Sequence, residues 1–336
     1  MIRYNRIPSE SLIKLMGKGE MLNALTSVLA CKNKAGLPVY DVQFREKNTI
    51  SIYCGTTEVA KLKLSSNYIK ITAARAYSKQ PSANKLMKKW EIGKESNQIF
   101  KEVFFKYLDQ VIVDPRYWKK EGQVQVRWEE RCGRNWSPNA PFVIIDREVV
   151  LGYDSDDEKK KLQNKFIKAI NLVRKFIDDI PNKKWARCKS RNSNELDLIG
   201  VSNNGRSIVL IEVKHHSATS AEIYYSPLQI LYYMLEWKCA MGSKYADDIL
   251  KGINRLIKVK KILGLLPPDA PELICGIKLD LKPIIAVDKR GWSDEVDYRL
   301  RETIRAANKV TNNALKDIQI WEYSEGKKPL EYNLSI

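Results

Sequence analysis

The residues best placed to do chemistry together are two acids and a lysine in the stretch Glu195 to Lys214. It reads Glu195-Leu196-Asp197-Leu198-Ile199-Gly200-Val201, Ser202-Asn203-Asn204-Gly205-Arg206, then Ser207-Ile208-Val209-Leu210-Ile211-Glu212-Val213-Lys214. Two apolar, β-branched runs flank Asn204-Gly205, a pair suited to a type I′ turn because both central residues of that turn need positive φ. With those two as the centre, Asp197 sits opposite Glu212 and Glu195 opposite Lys214. Side chains alternate along a strand, so all four polar groups emerge on one face. Two carboxylates about 5 Å apart repel by about 3 kcal/mol at an effective dielectric of about 20. A divalent cation between them turns that repulsion into a binding site, and acidic, oxygen-rich sites suit Mg²⁺ or Mn²⁺. Lys214 adds a cation able to orient a water or offset developing phosphate charge. The set suits phosphodiester hydrolysis.

The same residues resemble a known family. Asp197, fourteen intervening residues, then Glu212-Val213-Lys214 is similar to the D-x(n)-E-x-K core of the PD-(D/E)XK nuclease superfamily, with Leu196 at its proline-like position. Gln229-Ile230-Leu231-Tyr232-Tyr233 is similar to the Q-x-x-x-Y helix motif of the RecB-type branch. The resemblance covers residues 155–325 or so and says nothing of the first 150. It implies a restriction-endonuclease-like αβββαβ core in which Asp197 and Glu212 bind Mg²⁺, with Mn²⁺ able to substitute. The Val213 carbonyl is within reach as a further ligand, Lys214 orients the attacking water, and Gln229 positions substrate or water. Some members recruit a glutamate from the first helix. Glu158 is the candidate here, and its first-turn position is equally explained by capping. Glu195 is a salt-bridge partner of Lys214 or an additional ligand. Tyr233 either acts beside Gln229 or belongs to the packing set of Tyr232 and Trp237.

The elements that must position these residues follow from periodicity. Asp154-Ser155-Asp156-Asp157-Glu158 opens an amphipathic helix, since acids complement the dipole at its N-terminus. Its apolar positions run from Leu162 to Ile180, and Pro181 stops it. Lys183, Lys184, Arg187, Lys189 and Arg191 then lead into the first strand as a phosphate-contact segment. His215 and His216, the only histidines, suit a strand end better than catalysis. Ser226-Pro227 reads as a helix start, placing Gln229 and Tyr233 on one face. A further helix over 246–263, an apolar strand Pro283–Asp288, a helix from Ser293 to Val310 and a strand Asp317–Tyr323 complete an α/β (α+β) class domain. Its mixed β-sheet is flanked by helices.

The N-terminal part reads differently. A helical stripe over 8–31 is followed by four strands of an antiparallel meander, at 39–44, 49–54, 59–64 and 68–72. Lys61 and Lys63 share one face of the third, either meeting phosphates or simply facing solvent. A polar, basic stretch at 78–94 precedes a helix over 96–112. Strands are predicted at Val124–Trp128 and Phe142–Ile145, around a loop Arg131–Trp136 able to stack on bases or grip phosphates. The division expected is a basic, β-rich domain over 1–150, with a nucleic-acid-binding or specificity role, and a nuclease domain over 151–336.

Bulk properties bound the function. Among 336 residues, 58 Lys and Arg face 40 Asp and Glu, for a net charge of +18, which suits a polyanionic partner. Residues 1–100 carry 17 basic against 7 acidic side chains and residues 201–250 carry 4 against 5, so the basic surface lies mainly away from the hairpin. No apolar run approaches the roughly 20 residues that span a bilayer, and the N-terminus lacks a signal-peptide core. Six scattered cysteines form no C-x-x-C pair and suit a reducing cytoplasm. The expected partner is nucleic acid, DNA rather than RNA, with no membrane; homodimerisation stays open. The expected activity is a Mg²⁺-dependent DNA endonuclease of defence, repair or recombination. The alternative is a nuclease-fold binding subunit, inactive alone or acting with a helicase or transposase partner.

Overall fold

The computed structural model describes residues 2–4, 6, 8–16, 39–46, 48–55, 57–65, 68–79, 81–87, 89–91, 97–111, 121–180, 185, 195–215, 217–288, 292–323 and 330–332. The chain forms two units, one of Met1–Tyr4, Asn139–Lys251 and Pro271–Ile336, the other of Asn5–Pro138 and Gly252–Ala270. The fold is mixed α/β, with helices and, among the described residues, three sheets. Among the described residues no helix is long and apolar enough to cross a membrane.

After β1 (Ile2–Arg3), which belongs to the first unit, the second unit begins with α1 (Glu10–Met16). Its sheet is a meander of β2 (Asp41–Glu46), β3 (Thr49–Cys54), β4 (Thr57–Leu64), β5 (Tyr68–Ala73) and β6 (Lys89–Glu91). The five strands pair in chain order, each antiparallel to the last. Alternation places Val42, Phe44, Ile50, Ile52, Leu62 and Ile71 in the core. Helix α2 (Pro81–Leu86) precedes β6, and α3 (Asn97–Gln110) packs Phe104, Tyr107 and Leu108 inward. The Tyr107 hydroxyl donates to the Val59 carbonyl at 2.6 Å. The strand predicted at Val124–Trp128 is instead helix α4 (Glu121–Glu129), running into a π-turn over Glu130–Arg134. Val124, Gln125, Val126 and Trp128 are all buried there, so packing on several sides overrides an alternating pattern too short to discriminate. The expected loop Arg131–Trp136 changes with it: Cys132, Gly133 and Trp136 are packed inside, so that Trp136 is not open for stacking on a base, while Asn135 is exposed.

The first unit runs through β7 (Phe142–Val149), β8 (Gly152–Tyr153), α5 (Asp156–Asp178), β9 (Leu196–Ser202), β10 (Ser207–Lys214), α6 (Ser220–Tyr224), α7 (Ser226–Met241) and, as far as Lys251, α8 (Ala246–Ile262). Then come β11 (Asp280–Asp288), α9 (Asp294–Thr311), β12 (Gln319–Tyr323) and β13 (Leu330–Tyr332). Six strands form one sheet in the order β13-β12-β11-β10-β9-β7. β9 is antiparallel to both of its neighbours, β7 and β10, whereas β11 runs parallel to β10 and β12 parallel to β11. Every residue of β10 is buried, as expected for a strand in the middle of a covered sheet. Helices α5, α7 and α9 pack on one another, and α7 also lies on β10 and β11.

Four details depart from expectation. β7 precedes α5, so the order is strand, helix, hairpin rather than helix followed by three strands. β7 pairs with β9, and residues 142–149 therefore belong with the hairpin's sheet, where the sequence reading placed the break at 150. The stretch Gly252–Ala270 returns to the second unit: there Lys260, 2% exposed, lies 3.3 Å from Glu129 Oε1. Ser226 is the first residue of α7 rather than its cap; its hydroxyl donates to the Ile223 carbonyl, closing the short α6 that Thr219 and Glu222 start with a capping box.

Candidate active site

The register of the hairpin is the expected one. Ile208 pairs with Val201, Val209 with Gly200, Leu210 with Ile199 and Ile211 with Leu198. One step further, Asp197 comes level with Glu212. The turn is different in kind. The Gly205 N–H donates to the Ser202 carbonyl at 2.8 Å, and Gly205 (φ +68°) has positive φ whereas Asn204 does not. This is a four-residue loop on a tight turn, not a type I′ turn. Asn204 instead uses its side chain, whose Oδ1 accepts from the Ser202 hydroxyl at 2.7 Å and the Arg206 N–H at 3.1 Å. Both loops have the same centre, so the facing residues are unchanged. A Cβ on Gly205 would also lie 2.4 Å from the Glu272 carbonyl oxygen.

At the open end of the hairpin the three polar groups interlock. Asp197 Oδ2 accepts the Val213 N–H at 2.7 Å, so the carboxylate takes the place of a strand carbonyl at the end of the ladder. Lys214 Nζ lies 2.6 Å from Glu212 Oε1. Glu212 is 1% exposed, and its second oxygen, Oε2, has no hydrogen-bond partner among the described residues. A buried carboxylate oxygen without a donor costs about 1–3 kcal/mol or more. A hard cation beside Asp197 removes that cost, and on this observation the two carboxylates fit a divalent ion. Among the described residues, no group of three or more His, Cys, Asp or Glu side chains is arranged to hold a metal.

The other predicted residues are placed as follows. Gln229 is half-buried on the first turn of α7, and Tyr233 is fully buried one turn on. The Tyr233 hydroxyl donates to the Glu195 carbonyl, tying α7 to the start of β9 two residues before Asp197. Its ring meets Tyr232 edge-on at 5.7 Å, so it is both a packing residue and a fastener of the hairpin. Glu195 is exposed, and the Lys214 ammonium lies 2.6 Å from Glu212 Oε1. Glu158 occupies the third position of α5, with its N–H on the Ser155 hydroxyl at 3.2 Å, which is the capping arrangement. His215 accepts the Ser217 N–H on Nδ1 at 3.1 Å, and its Nε2 lies 3.9 Å from Asp288. Lys183, Lys184, Arg187, Lys189, Arg191 and His216 lie outside the described residues. Lys61 and Lys63 are exposed on β4 of the other unit.

One acid escaped the sequence reading. Arg147 pairs with Leu198 and Val149 with Leu196, which puts Glu148 level with Asp197 on the neighbouring strand. Glu148 is half-buried and has φ +48°, a left-handed backbone that a glutamate rarely adopts. The apolar run Phe142–Ile145 marks a strand, but the three charged residues Asp146-Arg147-Glu148 hide its continuation to Val149. The pairing itself depends on a bulge between Ile144 and Asp146 that nothing local in the sequence marks.

Comparisons of the chain with protein-family models, with curated proteins and with solved structures find no match.

Proposed function

We propose that this chain is a metal-dependent phosphodiesterase of the PD-(D/E)XK kind, acting on DNA. The observation that carries the reading is Glu212, a buried carboxylate with one oxygen on Lys214 Nζ and the other without a partner, beside Asp197 on the same strand face. A structural hairpin gains nothing from that arrangement, because burying a carboxylate with an unsatisfied oxygen is costly. Asp197, Glu212 and the Val213 carbonyl would hold Mg²⁺ or Mn²⁺. Such an ion supplies Lewis acidity at the scissile phosphate and eases deprotonation of water. Lys214, 2.6 Å from Glu212 Oε1, would hold that carboxylate in place and present a cation to a non-bridging phosphate oxygen. Gln229, half-buried on α7, offers an amide that both donates and accepts, as needed to orient a water or a substrate oxygen. The restriction-endonuclease-like core is part of this proposal, with β7, β9, β10 and β11 as its sheet, and so is a nucleic-acid-binding role for the second unit.

The test is a cleavage panel. Plasmid, linear duplex, single-stranded DNA and RNA are incubated with the full chain in Mg²⁺, Mn²⁺ or EDTA, alongside Glu212→Gln. The expected result is cutting of DNA that needs the metal and disappears in the variant. Binding without metal-dependent cutting of any substrate removes the nuclease reading in favour of a binding subunit.

A further inference from the structure

We infer that the open face of β4, β5 and β6 is a docking surface for the phosphate backbone of nucleic acid, built from a row of lysines that crosses all three strands. Lys63 of β4 pairs directly with Lys70 of β5, and Lys70 pairs in turn with Lys89 of β6. Paired residues point to the same side of a sheet, and neighbouring strands lie about 4.8 Å apart. Three ammonium groups therefore line up across the face, all three residues exposed. Lys61, two residues before Lys63, adds a fourth on the same side and is 52% exposed. The opposite faces of these strands carry the core residues Leu62, Ile69, Ile71 and Trp90.

Like charges directly opposite one another destabilise a sheet. Solubility needs no such row, since interspersed charges of both signs serve better. Among the described residues, Glu58 lies 3.3 Å from Lys61 at its margin, and Glu91 is the β6 position that pairs with Tyr68. Lys89 Nζ also lies 4.9 Å from the centre of the Tyr68 ring, which holds that side chain along the face. A regular line of cations on a rigid sheet complements a regular line of anions, and a phosphate backbone supplies one. The inference shares with the nuclease reading only its polyanionic partner and needs no catalysis.

The experiment measures fluorescence anisotropy of a labelled duplex, and of a labelled single strand, with the full chain in EDTA across a salt series. Lys63→Ala/Lys70→Ala/Lys89→Ala is compared with Lys161→Ala/Lys165→Ala/Lys168→Ala, a charge-matched triple on the exposed face of α5. The row triple is expected to weaken binding by about tenfold or more. It should also flatten the plot of log Kd against log salt by about 2–3, close to one unit per lost phosphate contact. The helix triple should change affinity by about threefold at most, and thermal unfolding of the row triple should be unaltered or raised. Equal losses in both triples, or none in the row triple, overturn the inference. So does row-dependent binding to phosphatidylserine vesicles that matches or exceeds binding to nucleic acid. A chain that binds through the row and never cuts keeps this inference and loses the nuclease reading.

Discussion

Asp197 reaches across the hairpin and accepts the backbone N–H of Val213, the residue between Glu212 and Lys214. The first acid of the proposed site is thereby fixed to the strand that carries the other two groups. Asparagine keeps an acceptor oxygen at this position and alanine does not. Asp197→Asn is expected to unfold within about 0.5 kcal/mol of the parent in EDTA, and Asp197→Ala to lose about 1–2 kcal/mol, the cost of leaving a buried N–H unpaired. Both should abolish metal-dependent cleavage. Urea unfolding of the two variants checks the first pair of values. A matching loss of stability in Asp197→Asn would show that the charge itself holds the fold, which a metal ligand has no reason to do.

Lys214 and Glu212 make a second, separable prediction. Removing one member of a buried pair leaves the other charge uncompensated, at a cost of about 3–5 kcal/mol. Lys214→Met should therefore lower stability by about 3 kcal/mol in EDTA. An ion bound beside Glu212 replaces the lost counter-charge, so Mn²⁺ should recover part of the deficit; at about 100 times its Kd a ligand contributes about 2.7 kcal/mol. Glu212→Gln should show no Mn²⁺ stabilisation at all. Thermal unfolding with and without Mn²⁺ measures each, and equal Mn²⁺ shifts in the parent and Glu212→Gln would place the ion elsewhere.

Much of this was legible before any coordinates. The meander strands, the helix over 156–178 and the level pairing of Asp197 with Glu212 follow from alternation and spacing. The register survived an incorrect turn because the loop Asn203–Arg206 and the pair Asn204-Gly205 share one midpoint. Three things were not legible, each because a tertiary contact decides it. The alternating Val124-Gln125-Val126-Arg127-Trp128 becomes helical by being packed on several sides. Tyr233 finds the Glu195 carbonyl, a partner 38 residues away. The row of lysines needed the pairing of β5 with β6, and β6 is a three-residue strand inside a stretch that reads as polar loop.

Glu148 joins a functional question to a conformational one. Its left-handed backbone costs about 1–2 kcal/mol for a side chain with a Cβ, and asparagine tolerates that region better than most residues. Glu148→Asn should therefore raise stability by about 0.5–1 kcal/mol. It also removes a negative charge from the position level with Asp197 on the next strand. A negative charge near the site favours a bound divalent cation, so Mn²⁺ affinity should fall by about tenfold or more. Stability and affinity thus move in opposite directions. Calorimetric titration with Mn²⁺ and urea unfolding of the same preparation read the two, and an unchanged affinity would remove Glu148 from the site.

Glu236 makes the stability of the first unit depend on pH. Burial pushes its carboxyl up to about 7, against the partial offset of the Tyr153 hydroxyl that donates to it and the charge of Lys159. An unfolded glutamate releases its proton near about pH 4.3. Between about pH 4.3 and about pH 7 the native state therefore binds more protons than the unfolded one, and stability falls as pH rises. The contribution is fully present below that window and lost above it, up to about 4 kcal/mol in all. Glu236→Gln keeps an acceptor for Tyr153 and has nothing to titrate. Urea midpoints measured at about pH 5 and about pH 8 should differ more in the parent than in the variant, with the variant the more stable at the higher pH. A parent and variant whose midpoints shift in parallel would mean that Glu236 is already ionised in the folded chain across the whole window.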